Sequence, residues 1–207
     1  MIALLDSLGK LVDKKAAHLI ADQFEQGRKL HESQYGCRRR RCASMRWLPS
    51  SVTPSSSCNR KHIAGALLMD FKSAFNNVRR GHLVERMMPL GVENDLVRWS
   101  ESFMSQRKVR LCINGQEGAD HEVNTGIPQG SSASPILFAV YMSGLFGSVE
   151  DRVPGVNALS FVDDVAWLVE KDEDSLSAKL EKAATAAKNG PTLTQWALTR
   201  ARPRPSS

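Results

Sequence analysis

Residues 158–170, ALSFVDDVAWLVE, set two short apolar runs on either side of an adjacent acidic pair, Asp163 and Asp164. Runs this short, rich in Val, Phe and Trp, predict a β-hairpin with the acidic pair at its turn. A carboxylate between buried strands is costly unless something compensates its charge. The pair is therefore either a plain acidic turn, where aspartate is favoured anyway, or part of a cation site. Mg²⁺ suits the second reading, because it prefers hard oxygen ligands, takes one or two carboxylates and leaves positions for substrate phosphates. Asp70, closing the apolar run IAGALLM, is the candidate third acid. Three carboxylates on adjacent strand ends could hold two ions about 4 Å apart for an in-line phosphoryl displacement.

The texture around these acids is globular from Ile63 to about Val169. IAGALLM reads as a buried strand, and SAFNNVRRGHLVERMMPLG as one helix stopped by Gly91. A helix is expected from Glu93 to Ser105, with Leu96, Trp99 and Phe103 on one stripe. KVRLCINGQEGADHEV predicts a hairpin, since Asn114-Gly115 supplies the positive φ values of a type I′ turn. SPILFAVYMSGLFGSV is apolar enough all round for a buried helix, although its Val, Ile and Phe content also suits a strand. DEDSLSAKLEKAATAAKNGP reads as a surface helix with an acidic start and an Asn189-Gly190 stop. Mixed strands and helices without strict alternation predict an α+β fold, an antiparallel sheet with helices on one face.

The flanks differ. Residues 2–30 place Leu4, Leu5, Leu8, Leu11, Val12, Ala16, Leu19, Ile20 and Phe24 at helical spacing before a Gly27 break. Residues 37–62 form an irregular Arg/Ser/Pro-rich insert. The expected organisation is a region over 1–62, a core over 63–190 and a disordered tail over 191–207. A chain of 207 residues suits one compact body. The formal charge of +6 suits a polyanionic partner but does not select one. No apolar stretch reaches the roughly 18 residues of a membrane span, so a soluble, intracellular protein is expected. The four cysteines lack framework spacing and read as reduced thiols. Cys37, Cys42, Cys58 and His62 fit no usual zinc finger.

DFKSAFNNV at 70–78, TGIPQGSSASPILFAVYMSGLF at 125–146 and FVDD at 161–164 occur in the order and spacing seen in reverse transcriptases. The chain resembles the polymerase of non-LTR (LINE-type) retrotransposons, and GIPQG with ASPILFAVYMSGLF is most similar to fungal elements. Over residues 2–196 further pieces match: LLDSLGKLVDKK resembles the family's N-terminal fingers helix, and SQYGCR its Gln-aromatic-Gly-x-Arg motif. The resemblance implies RNA-templated DNA synthesis on a reverse-transcriptase palm with partial fingers and no thumb. Its partners would be an RNA template, a DNA primer and dNTPs, without a membrane. The implied cofactor is a pair of Mg²⁺ ions, with Mn²⁺ able to replace them, and the implied location is nuclear or cytoplasmic.

Residue by residue, the resemblance puts the catalytic, metal-binding aspartates on Asp70, Asp163 and Asp164. Phe71 would join the metal and nucleotide set through its backbone. Phe75 would be the aromatic gate whose ring fills the space a ribose 2′-hydroxyl needs, although a core aromatic on a helix is the commoner reading of such a residue. Arg38 and Arg41 would approach the triphosphate with their guanidinium forks, unless the RRRR run is only a solvated basic face. Gln129 would contact the nucleotide, while Gly126, Pro128 and Gly130 would lie against the template-primer, glycine letting backbone approach closely. Arg107, Lys108 and Arg110 could touch phosphates, but a solvated strand edge suits them better.

The chain also departs from the family. After Arg41 the expected helix gives way to CASMRWLPSSVTPSSSC, Ser132 replaces a usual proline, and TLTQWALTRARPRPSS loses the pattern of the next palm motif together with its lysine. The two altered stretches have the composition of a shifted reading frame. An inert remnant of a retrotransposon polymerase, at most a weak nucleic-acid binder, is therefore the second reading.

Overall fold

The computed structural model describes residues 6–38, 41, 63–171, 173–190 and 198–199. Its contacts sort the chain into two interleaved units, Met1–Lys29 with Ser73–Tyr141 and Leu30–Lys72 with Met142–Ser207. These differ from the compositional boundaries at 62/63 and 190/191, because strand pairing joins segments distant in sequence.

The first unit begins with α1 (Ser7–Gln26), whose N-cap Asp6 accepts a hydrogen bond from the Gly9 amide. Its buried face is Asp13, Ala16, Ala17, Ile20 and Phe24, whereas Leu8, Leu11, Val12 and Leu19 are exposed. The expected apolar stripe is thus rotated, and a polar residue occupies the inner face because it finds hydrogen-bond donors there. The single helix expected over 73–91 is also corrected. Ser73 takes φ +57°, a 3₁₀ turn covers Phe75–Asn77, Val78 is extended, and only Arg80–Met87 is α-helical (α2). The break has a cause in the fold, since the Val78 carbonyl accepts from the Gly126 amide at 2.9 Å. Helix α3 (Asn94–Met104) buries Leu96, Val97, Ser100 and Met104, and Trp99 stacks on Phe103 at 4.9 Å. Strands β2 (Arg107–Ile113) and β3 (Gln116–Val123) pair across Asn114 and Gly115, at φ +51° and +78° as a type I′ turn requires.

Helix α4 (Ser134–Arg152) runs from the first unit into the second. The second unit holds β1 (Ile63–Phe71), β4 (Val156–Phe161), β5 (Asp164–Lys171), α5 (Glu173–Lys188) and the two-residue β6 (Leu198–Thr199). Its sheet is antiparallel in the order β4-β5-β1-β6. Leu198 and Thr199, inside the expected disordered tail, pair with Phe71 and Asp70. One face carries Gly65, Leu67 and Met69 of β1 with Val165, Trp167 and Val169 of β5. Both helices cover that face: Phe146 of α4 lies 6.0 Å from the Trp167 ring, and a Cβ on Gly65 would sit 2.8 Å from Leu176 of α5. The Trp167 Nε1–H donates to Met69 Sδ at 3.0 Å, so the largest core side chain is satisfied as well as buried. On the opposite face Ala66, Leu68 and Asp70 of β1 are exposed while Ala166 and Leu168 of β5 are buried; helices packed on one face of an antiparallel sheet are the α+β arrangement expected.

Candidate active site

The face of the second unit's sheet turned away from α4 and α5 ends in carboxylates. In the β1–β5 register Asp70 stands directly opposite Asp164, and Phe161 of β4 is the next residue across. Opposed positions on antiparallel strands bring Cβ atoms to about 4.5–5.5 Å. Asp163 precedes Asp164 in the two-residue turn Val162–Asp163, so the acidic pair straddles the end of the turn rather than filling it. The Asp164 carboxyl is pushed above the usual carboxylate range, first by burial and then by the charges of Asp163 and Asp70. All three sequence-predicted acids thus share one sheet end. Among the described residues, however, no group of three or more His, Cys, Asp or Glu side chains is gathered to hold a metal ion.

The turn itself is unusual. Val162, a β-branched residue, has φ +58°, a conformation that costs an L-residue about 1–2 kcal/mol. Gly36 packs underneath it, where a Cβ would lie 2.4 Å from the Val162 nitrogen. The segment containing Gly36 runs along the edge of β4, with the Tyr35 amide donating to the Ser160 carbonyl and the Ser160 amide to the Ser33 carbonyl, each at 2.8 Å. The SQYGCR motif therefore braces the carboxylate turn, a role not read from the sequence. Cys37 follows, exposed, its thiol pushed up by partial desolvation and by Asp163. Arg38 is buried and donates from Nη1 to the carbonyls of His31 and Gln34, at 3.1 and 3.4 Å. The Arg41 guanidinium lies 5.3 Å from the Tyr35 ring centroid and donates to the Glu32 carbonyl. Both arginines thus have partners within their own loop. Cys42, Cys58 and His62 lie outside the described residues. The Phe71 side chain is buried at the end of β1.

The remaining predicted residues lie in the first unit. Phe75 is half-buried in the 3₁₀ turn and stacks on Phe138 of α4 at 5.1 Å and 18°. Its carbonyl accepts from the Ile127 amide at 2.8 Å. Gly126 has φ +77°, and a Cβ there would stand 2.7 Å from Asn76 Cα and 2.8 Å from the carbonyl oxygens of Phe75 and Asn76. Glycine at 126 is thus demanded by the chain's own backbone, at a positive φ and in close approach to the 3₁₀ turn. Gly130, at φ +107°, is exposed, and Pro128 and Gln129 are half-buried.

Two further residues hold this loop. Arg107 Nη2 donates to the carbonyls of Thr125 and Gly126, both at 2.6 Å, so its guanidinium is committed to the fold. Arg110 pairs with Asp120 at 2.8 Å and with Glu117. Lys108 and Arg110 are both exposed, the solvated strand edge that was expected, and only Arg107 departs from it. Asp13 of α1 was missed altogether. Its side chain accepts from Ser131 Oγ at 2.7 Å and from the amides of Ser132 and Ala133 at 2.7 and 3.2 Å. No local pattern flags such a residue, because its partners lie 118 to 120 positions away.

The sheet with its helices on one face defines a palm-like class. In the structure of apo telomerase from Candida tropicalis truncated from its C-terminal domain, the same fold recurs with a TM-score of 0.55 at 12% identity, covering 95% of this chain and 42% of that one. The chain belongs to the reverse transcriptase (RNA-dependent DNA polymerase) family, whose model matches residues 1–195. It is 28% identical over 171 residues to the putative 115 kDa protein of the type-1 retrotransposable element R1DM of Drosophila melanogaster, covering 82% of this chain and 16% of that protein. It is 24% identical over 169 residues to the RNA-directed DNA polymerase of the mobile element jockey of Drosophila funebris, covering 80% and 18%. The chain therefore spans less than a fifth of these relatives. Among the described residues no helix is long and apolar enough to cross a membrane.

Proposed function

We propose that this chain carries the nucleotidyl-transfer site of a retrotransposon RNA-directed DNA polymerase, extending a DNA primer on an RNA template with dNTPs. The observation that carries the proposal is the opposition of Asp70 and Asp164 across the β1–β5 register, with Asp163 one residue before. The set fits Mg²⁺ in kind: the donors are hard oxygens, and a divalent cation would offset the burial and, secondarily, the acidic neighbours that raise the Asp164 carboxyl. Asp70, Asp163 and Asp164 would hold two ions, with Asp164 less directly engaged, and the Phe71 backbone would face the nucleotide. Bound there, Mg²⁺ or Mn²⁺ supplies activation of the primer 3′-hydroxyl and neutralisation of the departing pyrophosphate. The 3′-oxygen forms a bond to the α-phosphorus, the bond to the β-phosphate bridge breaks, and the hydroxyl proton leaves to solvent. Phe75 is proposed as the gate against ribose and Gln129 as a nucleotide contact, with Gly126, Pro128 and Gly130 on the template-primer side. Arg38 and Arg41 would reach the triphosphate only by exchanging their present partners. A nuclear or cytoplasmic setting follows from the same reading. A fungal source is supported by the GIPQG and ASPILFAVYMSGLF stretches, while the two relatives named above come from Drosophila.

A second reading, an inert remnant, is favoured by one observation: the three acids do not converge into a metal-holding cluster among the described residues. Incorporation of dNTPs on a primed RNA template with Mg²⁺, compared between the chain and Asp163→Ala, decides between them. The expected result is incorporation that disappears in the variant. Folded wild-type protein that incorporates no more than the variant would establish the remnant.

A further inference from the structure

The Asp13 side chain is only 3% exposed, yet α1 turns it inward in place of its leucines. A buried carboxylate is costly unless several donors compensate it. Here a hydroxyl and two backbone amides converge on its two oxygens. The amides belong to Ser132 and Ala133, immediately before α4, where helix geometry leaves backbone N–H groups without partners. Asp13 therefore caps α4 from another helix, at the end where the helix dipole favours negative charge. Ser131 Oγ relays the bond, accepting in turn from the amides of Ala133 and Ser134 at 3.0 and 3.2 Å.

The cap also closes one end of a braced loop. The other end is held by Arg107 on the Thr125 and Gly126 carbonyls, and the middle by the Ile127 amide on the Phe75 carbonyl. Between the two anchors lie Pro128, Gln129 and Gly130. The Phe75 ring in turn stacks on Phe138, which lies in the helix that Asp13 caps. Both supports of Phe75, the loop backbone and the α4 ring, thus depend on the same capped junction.

We propose that Asp13 is a positioning residue that fixes the 125–134 loop and, through Ile127 and Phe138, the Phe75 ring, so that it sets the discrimination between deoxy- and ribonucleotides. The selectivity half of this inference rests on the polymerase reading; the clamp does not. In Asp13→Asn one donor-facing oxygen becomes an NH₂ that opposes an amide, leaving a buried donor unsatisfied. Ser131→Ala keeps the carboxylate but removes the relay, a milder change should Asp13→Asn fail to fold.

The test is hydrogen exchange on the full chain, followed by competition between dNTP and rNTP on a primed RNA template. In Asp13→Asn, peptides spanning 125–134 should exchange on the order of tenfold faster, while peptides from β4 and β5 are unchanged. Ser131→Ala should shift the same peptides less. Asp13→Glu, which keeps the carboxylate, should recover part of the protection. Selectivity against rNTP should fall about tenfold in Asp13→Asn through the KM for rNTP, with kcat for dNTP falling less. Unchanged exchange at 125–134, or equal acceleration everywhere, overturns the clamp. A loosened loop with intact selectivity overturns the link to Phe75. Wild-type protein that incorporates nothing refutes the polymerase reading and the selectivity claim together, while exchange alone still decides the clamp.

Discussion

The two hairpins of this chain are built on opposite plans. β2–β3 turns through Asn114-Gly115, residues suited to positive φ, yet nearly all its side chains are exposed. β4–β5 turns through Val162, a residue unsuited to positive φ, yet Val165 to Val169 are buried without a break. The first is specified by local turn chemistry and gains little from packing. In the second, packing on α4 and α5 is strong enough to hold a strained turn, and the strain sits beside the carboxylates. A strained residue persists only where the surrounding structure over-determines it.

The widest gap between the hairpins should appear in their side chains. Trp167→Ala in β5 removes a fully buried ring and should cost about 3–5 kcal/mol. Val109→Ala in β2 should cost less than about 1 kcal/mol. Urea unfolding of both variants measures the difference, and similar costs would break the comparison. Opposite exchanges at the turns should come next. Gly115→Val forces a β-branched residue to φ +78° and should cost about 1–2 kcal/mol. Val162→Gly relieves the same penalty while adding backbone entropy to the unfolded chain, so stability should change by less than about 1 kcal/mol.

The smallest effects sharpen the contrast through their signs. The Asp164 carboxyl is raised in the fold by burial and by its acidic neighbours, so its charge is a liability. Asp164→Asn should raise the melting temperature slightly above the folded-state pKa, and the gain should vanish as pH falls below the unfolded value of about 3.9. Asp120 is the reverse case. Its hydrogen bond to Arg110, and then the Arg110 charge, lower its carboxyl. Its stabilisation is present above the unfolded value and lost as pH falls through the folded one, so Asp120→Asn should lower the melting temperature at neutral pH and not in acid. Thermal melts of both variants across pH 3 to 7, roughly the range spanned by carboxylate titration, read the two signs together.

What was legible in the sequence follows the same division. Asn114-Gly115 was readable because the turn depends on two adjacent residues, and Asp70 because an apolar run ends on it. The Asp70–Asp164 opposition could be anticipated as a set of strand ends, but its register is fixed by pairing across 94 positions. The rotated face of α1 was hidden for a physical reason: leucines outnumber the one aspartate that faces inward, and the donors that make this tolerable lie far along the chain. The break after Asn77 was hidden likewise, since it serves an amide at Gly126. The glycine at 126 stands out in the sequence, but the packing that also demands it does not, because nothing in the sequence shows that the 3₁₀ turn lies against it.

The long-range pairing of β1 also has a consequence for how the chain is made. At about 5–20 residues per second, Ile63–Phe71 leaves the ribosome several seconds before its partner strand, which begins at Asp164, is available. During that interval a short apolar strand has both edges unpaired, the condition that favours intermolecular strand addition. Asp70 places a charge at the end of that strand, the position at which a gatekeeper residue opposes aggregation.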